Sequence, residues 1–228
     1  MRPEWVPVSA AALVTGVMAL VLAQMINPGG SESSPAGQML VAAEFPGRWL
    51  TMSILFFGAA AALVLGMPAV MVLFQDKRGR GIGMVGVAVF TVGCVGVGAL
   101  AGLMLIFRAL ALETLKAETV AAGEITLVTE SLKNTGLTVT LGVWVYGFML
   151  GVLLIAIGLF RGRKTPTWVP ALMVGFLLVQ AVMPFLGDGM AARVGSALGL
   201  ILLAGGFTGV ATTAASPNAT GVLKRSIV

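Results

Sequence analysis

The chain has 228 residues, of which 58% are hydrophobic and only 10% charged, with a mean hydropathy of +1.02. A soluble domain carries about 25% charged residues, so this balance excludes an ordinary water-soluble fold and points to lipid as the solvent. The net charge of +5 does not indicate nucleic acid, because the basic residues lie in short segments beside apolar runs, where membrane orientation accounts for them.

In chain order, six stretches carry no charged residue: 5–31, 49–75, 81–107, 134–160, 165–187 and 194–223. A helix rising about 1.5 Å per residue crosses a hydrocarbon core of about 30 Å in roughly 20 residues, and each stretch exceeds that. The expected fold is all-α: a polytopic membrane protein, a six-transmembrane-helix bundle forming a single integral membrane domain over 1–228. The spans fall at about 5–26, 49–74, 82–107, 136–160, 167–187 and 194–215, with outer segments at 27–48 and 108–135.

Charge sorts the connections into two sets. Arg2, Lys77, Arg78, Arg80, Arg161, Arg163, Lys164, Lys224 and Arg225 face only Glu4 and Asp76 in one set, net +7. The alternate connections hold five basic and seven acidic residues, net −2. Lys and Arg in short loops stay on the cytoplasmic side, so both termini are expected inside, in a bacterial inner (plasma) membrane. Trp5, Trp49 and Trp168 fall at span ends and read as headgroup anchors. The first apolar run exceeds the roughly 7–15 residues of a signal-peptide core, so it is expected to be retained.

Asn27-Pro28-Gly29-Gly30 ends the first span as a turn. A short helix is expected from Ser34-Pro35 through Ala42, stopped by Pro46-Gly47. The second outer segment mixes Leu110, Leu115, Ile125 and Leu132 with acids and lysines, the texture of surface helices or span extensions that cap the bundle. A lid or a docking surface is the alternative. Leu73-Phe74 before Arg78-Gly79-Arg80 parallels Leu159-Phe160 before Arg161-Gly162-Arg163, which reads as two independent basic turns.

Candidate chemistry is sparse. Gly81, Gly83 and Gly86 match G-x-G-x-x-G, but they open an apolar span rather than follow a strand, so dinucleotide binding is rejected. Histidine is absent, and a lone Cys94 makes no internal disulfide; no metal, cofactor or catalytic residue is expected. No ionisable residue interrupts the spans, which argues against proton relays and voltage sensing. Mid-span hydroxyls such as Ser53, Thr91 and Thr208 are expected to bond within their own helices. Gly98 with Gly102, Gly147 with Gly151, Gly195 with Gly199 and Gly205 with Gly209 each put two small residues on one helix face, the pattern of close helix packing in lipid. Gln180 is the one strongly polar side chain deep in a span, and Pro184 removes the helical partner of its carbonyl. It reads first as a bond to a neighbouring helix, second as part of a polar cavity.

With its short inner loops such as Arg78-Gly79-Arg80-Gly81 and the Arg-Pro-Trp texture of 163–168, the chain resembles the multi-pass membrane proteins common in high-GC bacteria. That resemblance implies no activity. The expected role is non-enzymatic: an accessory or structural partner in a membrane assembly, in contact with the lipid bilayer and with another membrane protein. The alternative is a channel or transporter for a neutral or lipophilic small molecule, and third an enzyme acting on lipid through the outer acids.

Overall fold

The computed structural model describes residues 5–28, 35–75, 79–116, 135–185 and 190–216. Among them every regular element is helical: α1 (Trp5–Ile26), α2 (Pro35–Glu44), α3 (Pro46–Val72), α4 (Arg80–Lys116), α5 (Thr135–Gly162), α6 (Trp168–Val182), a 3₁₀ turn at Met183–Phe185, and α7 (Met190–Ala215). Five are long and apolar enough to cross a membrane: α1, α3, α4, α5 and α7. The sixth apolar stretch forms only the 15-residue α6 before the 3₁₀ turn. Pro184 supplies the reason: it has no N–H to continue the helical ladder, so α6 ends where a bend was the other option.

Pro46 plays a different part. α2 stops at Glu44, Phe45 turns the chain, and Pro46 occupies the first turn of α3, where a missing N–H leaves nothing unsatisfied. The third helix therefore starts before Trp49. α4 has 37 residues and is about 55 Å long, so one end projects well past a 30 Å core. It runs through Arg108 to Lys116, and the rest of that outer segment lies outside the described residues.

The bundle consists of three antiparallel hairpins, α1 with α3, α4 with α5, and α6 with α7. Each packs on the next, and α7 returns to α1, closing a ring. Glycine sets the hairpin spacing. A methyl group added to Gly66 would lie 2.7 Å from Leu13 Cα, and one on Gly16 would lie 2.9 Å from Leu63. In the α4–α5 seam the contacts run Gly83 to Gly158, Gly86 to Ile155, Phe90 to Gly151 and Gly93 to Phe148. Residue numbers rise on one helix as they fall on the other, and both sets are spaced 3, 4, 3, so at three of the four contacts a glycine receives a large residue. In the α6–α7 seam, Gly199, Gly206 and Gly209 on α7 receive Val179, Met173 and Val169 from α6.

Hydroxyls mostly satisfy their own helices: Ser53 donates to the carbonyl of Trp49 at 2.8 Å and Thr91 to that of Val87 at 2.8 Å. Ser9 is different. Its Oγ donates to the carbonyl of Leu65 at 2.9 Å and accepts from the N–H of Ala69 at 3.0 Å. Those are the two groups that one α-helical bond would join, Leu65 three residues before Pro68 and Ala69 one residue after it. A side chain from α1 thus enters the backbone ladder of α3 beside its proline, one of the recognised causes of a local bend.

Trp5 and Trp168 are 64% and 51% exposed at the end of the ring that carries Arg161 and Arg163, as headgroup anchors require. Trp49 is not an anchor. It is 4% exposed, packed with Met52, Ala23, Ala42 and Ala111, and its indole N–H donates to the carbonyl of Met104 at 2.8 Å. Arg108 donates from Nε to the carbonyl of Pro46 at 2.9 Å. Together with buried Met39 and Ala42 of α2, these contacts tie α2 and the start of α3 to the projecting part of α4. The outer wall of the ring is apolar: Phe57, Leu65, Val95 and Leu178 are all more than half exposed. Large side chains turned outward from several helices suit hydrocarbon, not water.

Candidate functional site

Gln180 lies roughly 18 Å along α6 from Trp168. Its side chain is half-buried and turned toward α7, with Nε2 3.3 Å from the position a Cβ on Gly199 would take. No hydrogen bond reaches its amide among the described residues. Pro184 sits in the 3₁₀ turn that ends α6.

The centre of the ring is filled. Phe90 of α4, Phe148 of α5, Phe176 of α6 and Phe207 of α7 are all buried. Their ring centroids are 4.7 Å apart for Phe90–Phe148, 5.3 Å for Phe90–Phe207 and 6.5 Å for Phe148–Phe176. Tilted and edge-on pairs at these separations are favourable aromatic geometries. The glycine seams bring this about, because Gly93 and Gly151 let α4 and α5 approach until Phe90 and Phe148 both reach the axis. Cys94, buried one turn from Phe90, belongs to the same packed interior.

Of the eight glycines expected at helix contacts, seven have a neighbour. A Cβ built on Gly151 would stand 2.5 Å from the Phe90 backbone, one on Gly147 3.9 Å from Gly93, and one on Gly98 3.6 Å from Ala60. A Cβ on Gly195 would meet the tip of Met183, one on Gly199 Val179 at 3.2 Å, one on Gly205 Leu172 at 2.9 Å, and one on Gly209 Val169 at 2.5 Å. Gly102 has nothing within 4 Å. The tightest approaches also use Gly16, Gly66 and Gly86, which have no glycine four residues away, and Gly83 and Gly158, whose four-residue partners Gly79 and Gly162 lie at the basic turns. The signal was present as a 3, 4, 3 run on both helices of the second hairpin, Gly83, Gly86, Phe90 and Gly93 on one and Phe148, Gly151, Ile155 and Gly158 on the other.

Concavities lie in two places among the described residues. The first opens sideways over α5 between α4 and α6, the neighbouring pair α5–α6 being the least extensively packed. It has a volume of about 920 Å³ and is lined by Val89, Tyr146, Leu150, Leu153, Leu178 and Ala181, among others. Almost all of its lining is hydrocarbon. Tyr146, 72% exposed, lies about 22 Å along α5 from Arg161.

The second set lies at the basic end, where α5 passes into α6. Gly79, Phe160, Arg161 and Arg163 line one hollow of about 530 Å³; Phe160 and Arg163 also border another of about 530 Å³ with Leu159, Thr165, Pro166, Thr167 and Pro170. Arg163 has φ +52°, and its N–H donates to the carbonyl of Leu159 at 3.0 Å, closing α5 with a left-handed residue. Gly79 also has positive φ, +77°, so the two arginine turns differ: one places the left-handed conformation on glycine, the other on arginine. Phe74 is buried against Gly83 and Gly158, whereas Phe160 is 45% exposed. The parallel between the two turns is therefore one of sequence only. Thr165 is buried, and its Oγ1 has no hydrogen-bond partner among the described residues. No cluster of metal-ligating side chains occurs among the described residues.

The chain matches no family model, no curated protein and no solved structure.

Proposed function

We propose that this is a non-enzymatic integral membrane protein with six spans and both termini in the cytoplasm of a bacterial inner membrane, acting as an accessory or structural partner in a membrane assembly. The observation that carries this reading is the contrast between a closed centre and an open flank. Four phenylalanines fill the axis of the ring, while a concavity of about 920 Å³ opens sideways between α4 and α6. A sideways apolar groove over one helix, flanked by two others, suits the knob-like side chains of a partner's transmembrane helix. The sixth span is supported by length: α6 and the 3₁₀ turn together extend about 28 Å, close to the hydrocarbon thickness.

The groove also supports the second reading, a carrier for a lipophilic small molecule, because its volume lies within the roughly 300–1,000 Å³ of small-molecule sites. Purification in mild detergent separates the two. Wild-type protein is expected to bring down a partner in fixed stoichiometry, and Ala181→Trp, which fills the groove from its lipid-exposed rim, is expected to lose that partner while remaining folded. Protein that runs alone and moves a lipophilic dye between vesicles would sink the accessory role.

A further inference from the structure

The α5–α6 turn carries three features that packing alone does not explain. A left-handed backbone conformation is disfavoured for any residue with a Cβ, yet Arg163 adopts it while Gly162 sits inside the helix. Arg161 and Arg163 line the same hollow, and neither has an ion-pair partner among the described residues. Thr165, 8% exposed, lines the adjoining hollow, and its buried hydroxyl has no partner among the described residues. A buried hydroxyl without a partner is uncommon in folded proteins and calls for a missing acceptor or donor.

The remaining lining is apolar. Leu159, Phe160, Pro166 and Pro170 form the wall that continues from the arginines toward the hydrocarbon. Trp168, exposed on the next turn, marks the headgroup level. Two cations and a hydroxyl above an apolar wall match an amphiphile whose head is anionic. A free inorganic anion would use the cations and leave the wall empty.

We propose that the paired hollows at the α5–α6 turn form a binding site for the phosphate of an anionic glycerophospholipid. Arg161 and Arg163 hold the phosphate oxygens by charge-assisted hydrogen bonds, and Thr165, by rotation about its Cα–Cβ bond, donates its hydroxyl to the same group. An acyl chain then lies along Phe160 and Pro170. Basic pockets between transmembrane helices are suited to such headgroups in general; here the left-handed Arg163 is the device that turns one cation into the site.

The test is a thermal melt of the full-length protein in a neutral detergent, titrated with short-chain phosphatidylglycerol, with phosphatidylcholine of equal chain length, and with inorganic phosphate. Phosphatidylglycerol is expected to raise the midpoint saturably, with the other two at least tenfold weaker. Arg163→Gly removes the guanidinium while giving the left-handed position the residue it favours, so the variant should fold and bind at least tenfold more weakly. Thr165→Val should weaken binding severalfold while melting no earlier than wild type without lipid. Lys224→Gln with Arg225→Gln removes two charges from the C-terminal segment and should leave the titration unchanged. Equal response to the two lipids, equal response to inorganic phosphate, or an equal loss in the tail variant would each overturn the site, the last by reducing it to general attraction between a basic face and anionic lipid.

Discussion

Gly151→Ala is the sharpest perturbation of the packing, because the added methyl has nowhere to go. It would stand 2.5 Å from both the nitrogen and the Cα of Phe90, which are backbone atoms of the facing helix and cannot swing aside. Carbon atoms rest about 3.5–4.0 Å apart, so the α4–α5 seam would have to open by about 1 Å at that point. Overpacking of this kind costs about 1–3 kcal/mol. The opening also draws Phe90 away from Phe148 and Phe207, now 4.7 and 5.3 Å away. Such aromatic pairs contribute about 0.5–1.5 kcal/mol each, of which part would be lost. Alanine's better helix propensity returns at most about 1 kcal/mol. The net expectation is a loss of about 1–3 kcal/mol. Gly102→Ala is the matched control, since nothing lies within 4 Å of the new methyl and only the propensity gain applies. Unfolding of both variants in a denaturing-detergent titration, followed by circular dichroism, measures the difference. If Gly151→Ala unfolds at the same point as Gly102→Ala, the close backbone approach in the second hairpin is wrong.

Ser9→Ala removes the bridge between Leu65 and Ala69 beside Pro68 and should lower stability by about 1–3 kcal/mol in the same titration, as expected when buried backbone groups lose a partner; a neutral result would mean that α3 closes its own ladder there. Gln180→Leu should cost no more than about 0.6 kcal/mol, the average intramembrane hydrogen bond, because its amide has no partner among the described residues; a loss of several kcal/mol would place Gln180 in a bond that only forms in the bilayer. In a Cys94→Ala background, a cysteine at exposed Glu44 should react with a membrane-impermeant thiol reagent in intact cells, and one at exposed Thr167 only after lysis; the reverse pattern would invert the topology.

The helices were legible because charge-free length is a direct consequence of bilayer thickness, and proline and glycine mark the ends locally. Pro46 and Pro184 show the limit of that local logic, since one begins a helix and the other ends one, and only the neighbouring chain decides. Trp49 illustrates a second limit. Its position at a span end fitted a headgroup anchor, but α2 folds back beside α4 and encloses it, a tertiary event that no single segment records. The Ser9 bridge depends on the pairing of α1 with α3, and the orphaned Thr165 hydroxyl on the shape of one turn, so neither could be read from spacing. The α4–α5 seam was within reach. Gly83 and Gly86 were visible as a motif, and their partners Gly158 and Ile155 follow once the two helices are laid antiparallel.

The closed-centre, open-flank reading is tested most directly by photo-crosslinking in native membranes from a single position in the groove. A photoreactive residue at Leu178, 64% exposed on the groove wall, should yield one discrete protein adduct, while the same residue at Leu65, 67% exposed on α3 and outside the groove lining, should yield only lipid adducts. Ala181→Trp should erase the Leu178 adduct. Lipid-only adducts at both positions, or a protein adduct at Leu65 that equals the one at Leu178, would contradict a partner seated in the groove.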